Sequence, residues 1–447
     1  NIEPNYFLTV LNDVTIAGTM NILSDETGTG SFLPKGALNI TGTFNAERYV
    51  SGGPSHFFSA PVQGLQSNSL NGANSEKYEQ SGSWASVGST DPLSTGKGYR
   101  ITTGSSQTFT LTGLPINSDV TITNLTSGGG GNGYPAGLNL IGNPFTCALD
   151  RNHESWGSQY MDASIYILSD YNYKVWNGQV GNITEGIIPA MQGFFVVVNG
   201  SNPSLTIPAD ARKNEFEPYY KSDEKLAEYE ILRISSGDMY DEMFIQFDPS
   251  SGLNFDPGFD AYKLPGSGAA PQIYSFTNDG QKVAINCIPD NDTTYHLNLG
   301  IVVPDNALDI VIEYIRTYTY YGDLVLLDTE PFIKLDLDID SVYHFSATPG
   351  TYNDRFKIYF TYFTGINSIE APKVDIYFSN GFFHINSNDF LQQAEFKVYT
   401  LDGKLAGRST FSQLKQKSIK APVINGLVIV TLETGSLQIS KKILLIR

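Results

Sequence analysis

Ile16-Ala17-Gly18-Thr19-Met20-Asn21 recurs as Ile40-Thr41-Gly42-Thr43-Phe44-Asn45, an offset of 24 residues. A Thr-, Asn- and Gly-rich repeat of this length, with apolar residues at alternating positions, reads as two rungs of a parallel β-solenoid. A rung buries its apolar face only against a neighbour, so two rungs are too few to stand alone. They must cap the domain that follows or continue a longer solenoid upstream. An accidental similarity of two strands is the competing reading.

Composition points the same way. The 447 residues include 43 Gly, 26 Tyr and 26 Phe with only 17% charged residues, a balance that favours strands and turns over helices. One short patch, Ser222 to Tyr229, has helical character. The expected fold is all-β: a short β-solenoid-like N-terminal piece, then β-sandwich domains, then a small C-terminal Ig-like β-sandwich. The formal net charge of −18 argues against nucleic-acid binding, which needs a basic footprint. No apolar run reaches the length of a membrane span, and Phe194 to Val198 is one strand. Cys147 and Cys287 stand 140 residues apart, which suits two separate buried thiols better than a bridge or a metal site. The chain starts at Asn1 without Met or a signal pattern, so a leader has been removed or the chain is part of a longer protein.

Punctuation along the chain divides it into residues 1–50 (the rungs), 51–212, 213–364, a linker at 365–372, and 373–447. In the second segment Gly96-Lys97-Gly98-Tyr99, Gly142-Asn143-Pro144 and Gln192-Gly193-Phe194-Phe195 read as a sharp strand start, a rigid turn and a core strand after a bend. Gly128 to Gly133 reads as a floppy hairpin tip. In the third segment regular alternation predicts a β-sandwich, and adjacent Asp354 and Arg355 suggest an ion pair at the start of its last strand.

The last segment carries the densest pattern. Its strands are Asp375 to Phe378, Phe383 to Ile385, Phe396 to Tyr399, Gly426 to Val430, and the terminal Lys441-Lys442-Ile443-Leu444-Leu445-Ile446-Arg447. Phe396, Val398 and Leu401 form the apolar phase of one half-buried strand, and Asp402-Gly403 supplies a tight hairpin turn. Residues 373–447 hold ten Lys/Arg against five Asp/Glu, a balance of +5 that leaves −23 for residues 1–372. Such a break marks a module boundary.

These elements resemble the type A C-terminal sorting domain carried by cargo of the Bacteroidota type IX secretion system. The motif residues are Asp402, Gly403 and Lys404, then Gly426, Leu427 and Val428, then Lys441, Lys442 and Ile443; Val428 stands where the family usually has an aromatic. The resemblance implies recognition of residues 373–447 by the outer-membrane translocon and its cargo shuttle, with delivery outside the cell or to its surface. The rungs resemble the end of β-helical stalks in large Bacteroidota surface proteins. Segments of 51–212 resemble an uncharacterised β-rich region that often precedes such sorting domains. Asp340-Ser341-Val342 resembles the Bacteroidota O-glycosylation acceptor, which implies a glycan on Ser341.

Nothing in the sequence assembles a catalytic centre. Gly128, Gly130 and Gly133 satisfy G-x-G-x-x-G, but no helix follows to hold a pyrophosphate. Ser94 and Lys97 spell S-x-x-K without its companion elements. The five histidines stand singly, and no metal or cofactor is expected. Asp336, Asp338 and Asp340 would share one strand face about 7 Å apart, a spacing that suits a solvated edge better than calcium. Trp84, Trp156 and Trp176, with Tyr160, Tyr166, Tyr171 and Tyr173, would supply either a core or a carbohydrate-stacking face. The expectation is a secreted or surface protein without enzymatic activity and with an adhesive or structural passenger, whose ligand would be a surface glycan or a host or substratum component. The rivals are a glycan-binding module of a polysaccharide-degrading system and the non-catalytic end of a larger secreted enzyme.

Overall fold

The 24-residue offset is a hydrogen-bond register. In the computed structural model Phe7–Val10 pairs in parallel with Ser31–Pro34, Val14–Ile16 with Leu38–Ile40, and Thr19–Ile22 with the start of Thr43–Val50. Every partner lies 24 residues on: Phe7 faces Ser31, Ile16 faces Ile40, Met20 faces Phe44. Asparagines stack along the rungs, Asn45 Nδ2 donating to Asn21 Oδ1 (2.8 Å) and Asn21 Nδ2 to Asn1 Oδ1 (2.8 Å). Gln107–Thr112 then pairs antiparallel with Thr43–Val50, and Ile22 and Phe44 share one core with Phe58, Val62 and Leu111. The rungs therefore pack onto the residues that follow them.

The structure describes residues 1–214, 228–289, 295–305, 309–317, 322–330, 332–362, 374–379, 381–424, 426–434 and 438–445. The 365–372 linker and most of the helical patch at 222–229 lie outside these residues; Glu228 and Tyr229 open a strand. Contacts gather the chain into two units. One is Asn1–Asn291 with Ile301–Thr319 and His344–Thr351, the other Asp292–Gly300 with Tyr320–Tyr343 and Tyr352–Arg447.

In the first unit the order Ser83–Ser86, Ala73–Glu79, Gly98–Thr103, Ser55–Ser59 makes one antiparallel sheet. A second runs Leu138–Gly142, Gly193–Val198, Met161–Ser169, Asn172–Trp176. Every residue of Gly193–Val198 is buried because the strand has a core on each face. Phe194, Val196 and Val198 point into one with Ile141 and Ile165, while Phe195 and Val197 point into another with Phe57 and Tyr166. That second core continues through Phe244, Ala261 and Ile285, so residues on both sides of position 212 share it. Glu228–Ser236 pairs with Met239–Phe247 and Ile310–Ile315, and Met239–Phe247 runs parallel to Lys282–Ile288. Cys147 and Cys287 are both buried and are not bridged.

Three local expectations are corrected. Gly128 to Gly133 is a fastened loop: Gly130 N donates to Gln80 O (2.7 Å), and a Cβ on Gly129 would meet that same oxygen at 1.8 Å. Only glycine permits so close an approach of two backbones. Asp336, Asp338 and Asp340 do not share a strand face, because the strand Ile333–Asp336 ends where the stripe begins. Asp336 Oδ1 accepts from Asp338 N (3.0 Å) in a local turn that leaves Ile339 85% exposed. Arg355 takes its carboxylate from Asp328, in a buried two-pronged pair of 2.9 and 2.8 Å that Tyr343 Oη joins at 2.9 Å.

In the second unit Gly322–Asp328 pairs with Ile333–Asp336 and Gly350–Tyr362. Residues 374–445 form their own five-stranded antiparallel sheet, ordered Val374–Ser379, Phe382–Thr400, Gly426–Glu433, Gln438–Leu445, with Leu405–Lys420 along the other edge of Phe382–Thr400. Register shifts between Asn386 and Leu391 bend the long strands. Lys441 of the last strand reaches Asp375 of the first (3.1 Å), and the apolar side chains close into one core with Ile376, Phe396, Val430 and Ile443. Leu401 departs from its expected phase, sitting 61% exposed at the turn.

Two predictions follow from this packing. A Cβ on Gly42 would lie 2.0 Å from Gly18 O, whereas one on Gly18 meets nothing within 4 Å. Gly42→Ala should lower stability by about 2 kcal/mol and Gly18→Ala by well under half of that, read by urea unfolding. Asp162 is buried, its Oδ1 accepting from Asn199 (2.9 Å) and its Oδ2 without a partner, and burial pushes its carboxyl up to about 6. The folded chain thus binds this proton more tightly than the unfolded chain. Its contribution is greatest below about pH 4 and is lost as pH rises through about 6. Asp162→Asn should therefore gain on wild type by about 2 kcal/mol between pH 4 and pH 8, and a constant difference would refute this account.

Candidate functional site

Two hairpin tips in the first unit flank concave surfaces beside exposed aromatic side chains. The first joins Met161–Ser169 to Asn172–Trp176 through Asp170 and Tyr171, with Asp170 at φ 45°. The second joins Glu228–Ser236 to Met239–Phe247 through Gly237 and Asp238, with Gly237 at φ 59°. Two-residue connections need a left-handed residue, and Asp and Gly both accept one. Asn172 Nδ2 donates to Tyr240 O (3.0 Å) and ties the tips together. Ser267 N donates to Tyr171 O (2.7 Å) and fixes a third wall. Tyr171 and Tyr240 remain 42% and 50% exposed.

Behind the first tip lies a cluster of six rings. Phe195 meets Phe57 (5.1 Å), Tyr78 (4.9 Å), Trp84 (6.1 Å), Tyr134 (6.2 Å) and Tyr173 (6.0 Å) between centroids. The Tyr134 and Tyr173 hydroxyls are 3.1 Å apart, and burial holds the Tyr173 phenol well above its usual range, so it stays neutral. Arg100 lies over the Trp84 ring at 4.0 Å and pairs with Glu76 at 2.6 Å.

Clefts open on both sides of Asp170 and Tyr171. One of about 580 Å³ is bounded by Ser55, Arg100, Tyr134, Tyr173 and Gly266. A smaller one, about 140 Å³, lies between Tyr171, Lys174 and Tyr240, and a third of about 450 Å³ continues past Lys174 and Asn182 to Glu185. Asp170 and Tyr171 stand between the first two clefts and Lys174 and Asn182 between the last two, so the three follow one another along the hairpin as a segmented groove. Asp170, Lys174 and Asp238 make no hydrogen bond or ion pair with another described side chain. The Asn172 side chain is buried at the wall, and its Oδ1 has no hydrogen-bond partner.

The aromatic residues singled out in the sequence divide by role. Tyr166 is core, and Tyr173 belongs to the ring cluster. Trp84 lies under Arg100, Trp156 donates to Asp150 O (2.7 Å), and Trp176 donates to Asn152 Oδ1 (2.9 Å). Tyr160 stands exposed against Gly200. Of the set, only Tyr171 faces the groove as an open ring. Tyr240, Tyr134 and Arg100 were not legible, since the pairing of residues about seventy positions apart leaves no local pattern. Among the described residues no group of three or more His, Cys, Asp or Glu could hold a metal ion. No described helix is long and apolar enough to cross a membrane.

The three motif elements of the tail meet at one end of its sheet. Val428 pairs with Thr400 on one side and Ile443 on the other, and Thr400 opens the turn of Asp402, Gly403 and Lys404. Val428 and Ile443 point into the core; Leu427 and Leu444, paired with each other, point out. Leu401 and Leu405 are exposed at the same end of the sheet, which also bears Lys404 and Lys442, while Gly426 starts the strand at φ 115°. Ser341 is exposed in the loop before Val342–Phe345.

No curated protein matches this chain. One family pattern, described as a domain of unknown function (DUF8693), matches residues 1–360, which takes in the rungs, both hairpin tips and the groove and stops short of the tail sheet. With four-fifths of its length matched, the chain belongs to the DUF8693 family.

Proposed function

We propose that this chain is a non-enzymatic protein exported through the type IX secretion system to the cell surface or medium, with residues 373–447 as its sorting domain and an adhesive or structural passenger before them. The observation that carries the reading is that the tail has a sheet and core of its own within the second unit. Residues 374–445 close their own sheet around their own core, beyond the reach of the family match. The tail is cationic where the rest is strongly acidic. Its motif residues converge on one end of the sheet that displays Leu401, Leu405, Leu427 and Leu444 beside lysines, a surface suited to docking on the translocon or its shuttle.

In the passenger, the packed rungs and the doubly buried strand Gly193–Val198 suit a rigid display scaffold. The Asp340-Ser341-Val342 acceptor is exposed, as a glycosylated serine requires.

In a bacterium with a type IX system, removal of residues 374–447 should abolish delivery to the surface and medium. Leu427→Ser with Leu444→Ser should reduce delivery at least several-fold while leaving the melting temperature of the purified protein within a few degrees. Undiminished export of both variants, scored by fractionation and immunoblot, would overturn the reading.

A further inference from the structure

We infer that the groove along the Asp170–Tyr171 hairpin is a binding site for a neutral polysaccharide chain, entered between Tyr171 and Tyr240. The inference deepens the adhesive reading of the passenger but stands on different residues from the export reading, all of them within the first unit.

Tyr171 and Tyr240 are exposed on tips that are tied to each other by the Asn172–Tyr240 hydrogen bond, and Arg233 lies over one face of the Tyr240 ring (5.0 Å), leaving the other for a ligand. Exposed rings on a fixed frame bind a flat apolar face at little entropic cost. A pyranose offers such a face through its C–H groups, and hydroxyls around its rim. Acceptors and donors for those hydroxyls stand beside the rings: the carboxylates of Asp170 and Asp238, the ammonium of Lys174, and the two tyrosine hydroxyls.

Both signs of charge line the groove, so neither a polyanion nor a polycation gains across its length. It is open and studded with charge, unlike an enclosed lipid cavity. A peptide would be expected to add to the edge strand Asn172–Trp176. That edge is already occupied: Asn182 Oδ1 accepts from Val175 N (2.8 Å), Asn182 N donates to Val175 O (3.0 Å), and Tyr171 O is held by Ser267. A ligand with no backbone ladder of its own, bound by stacking and side-chain hydrogen bonds, fits what remains.

Three clefts follow one another along one hairpin, so the site offers several adjacent places rather than a single pocket. A chain of repeating units satisfies such a row better than an isolated monosaccharide.

The test uses purified chain 1–447 in affinity electrophoresis and calorimetry. The probes are soluble neutral polysaccharides of different linkage (a β-1,3-glucan, a β-1,4-linked glucan, an α-glucan and a mannan), with polygalacturonate as the acidic arm. Saturable binding to at least one neutral polymer is expected, weakened about five- to ten-fold by Tyr171→Ala and by Tyr240→Ala. Both side chains are exposed, so their removal should leave the melting temperature unchanged, and Tyr160→Ala, outside the groove, should leave binding unchanged. A blank across the neutral panel overturns the inference. So does binding that survives both tyrosine substitutions, or binding confined to polygalacturonate and lost in high salt. Because the protein is purified before the test, failure here does not touch the export reading, and failed export does not touch this one.

Discussion

Phe195 is the contact on which the first unit depends. It projects from a strand with no solvent-facing side, and five other rings converge on it. Burying a ring of that size contributes about 2–3 kcal/mol by area, and each well-placed aromatic pair adds about 1 kcal/mol. The consequence is positional as well as energetic. Tyr134 and Tyr173 are fixed against Phe195, and Tyr173 lies two residues beyond the exposed Tyr171. The hairpin tip is therefore mounted on the densest part of the core, although its own side chains face solvent. Phe194 and Val196, on the opposite face, lock the same strand into a second core, so neither sheet can shift without disturbing the other.

Much of this architecture was legible because it is periodic. Ile16 and Ile40, or Thr19 and Thr43, announce a parallel register by recurrence alone, and the structure pairs them with the predicted offset. The alternation of Phe396 and Val398 with Lys397 and Tyr399 likewise assigns one face to the core. Glycine carried a second kind of information. The Gly98 position, where a Cβ would meet Ile141 O at 2.4 Å, is a strand start pressed against a neighbouring backbone. Reading Gly96-Lys97-Gly98-Tyr99 as a sharp start was therefore a reading of steric need. The same logic failed at Gly128 to Gly133. There a run of glycine looked loose, whereas its freedom is used to bring the loop within hydrogen-bonding distance of Gln80.

What stayed hidden was pairing at long range. Arg355 had an acidic neighbour in sequence, Asp354, but a buried guanidinium needs a carboxylate that can meet it edge-on. Asp328 does so from the adjacent strand. The Asp336 stripe failed for a related reason. Alternation of Leu and Asp fits a strand, but an Asp side chain also captures the backbone two residues on, and here that local bond closes the strand at Asp336. The groove was invisible in the same way. Tyr171 and Tyr240 belong to hairpins of different sheets, and a shared core together with the bonds from Asn172 to the Tyr240 carbonyl and from Asn182 to Glu242 brings them to one place.

A chain made almost wholly of strands must also avoid pairing with its neighbours through open edges. The hairpin beside the groove meets this by giving the outward groups of Val175 to Asn182. Rungs at the N-terminal end run into the antiparallel strand Gln107–Thr112. In the tail, Leu405–Lys420 carries Arg408, Lys415, Lys417 and Lys420, charges that resist a second strand of its own kind. Leu401, Leu405, Leu427 and Leu444 depart from that pattern, since these four leucines of the tail are exposed, as Phe7, Leu8 and Leu11 are on the first rung. Exposure of that kind is costly to keep in a protein otherwise guarded against association. Under the export proposal a partner would cover those leucines, and Lys404 and Lys442 would suit an acidic surface on it.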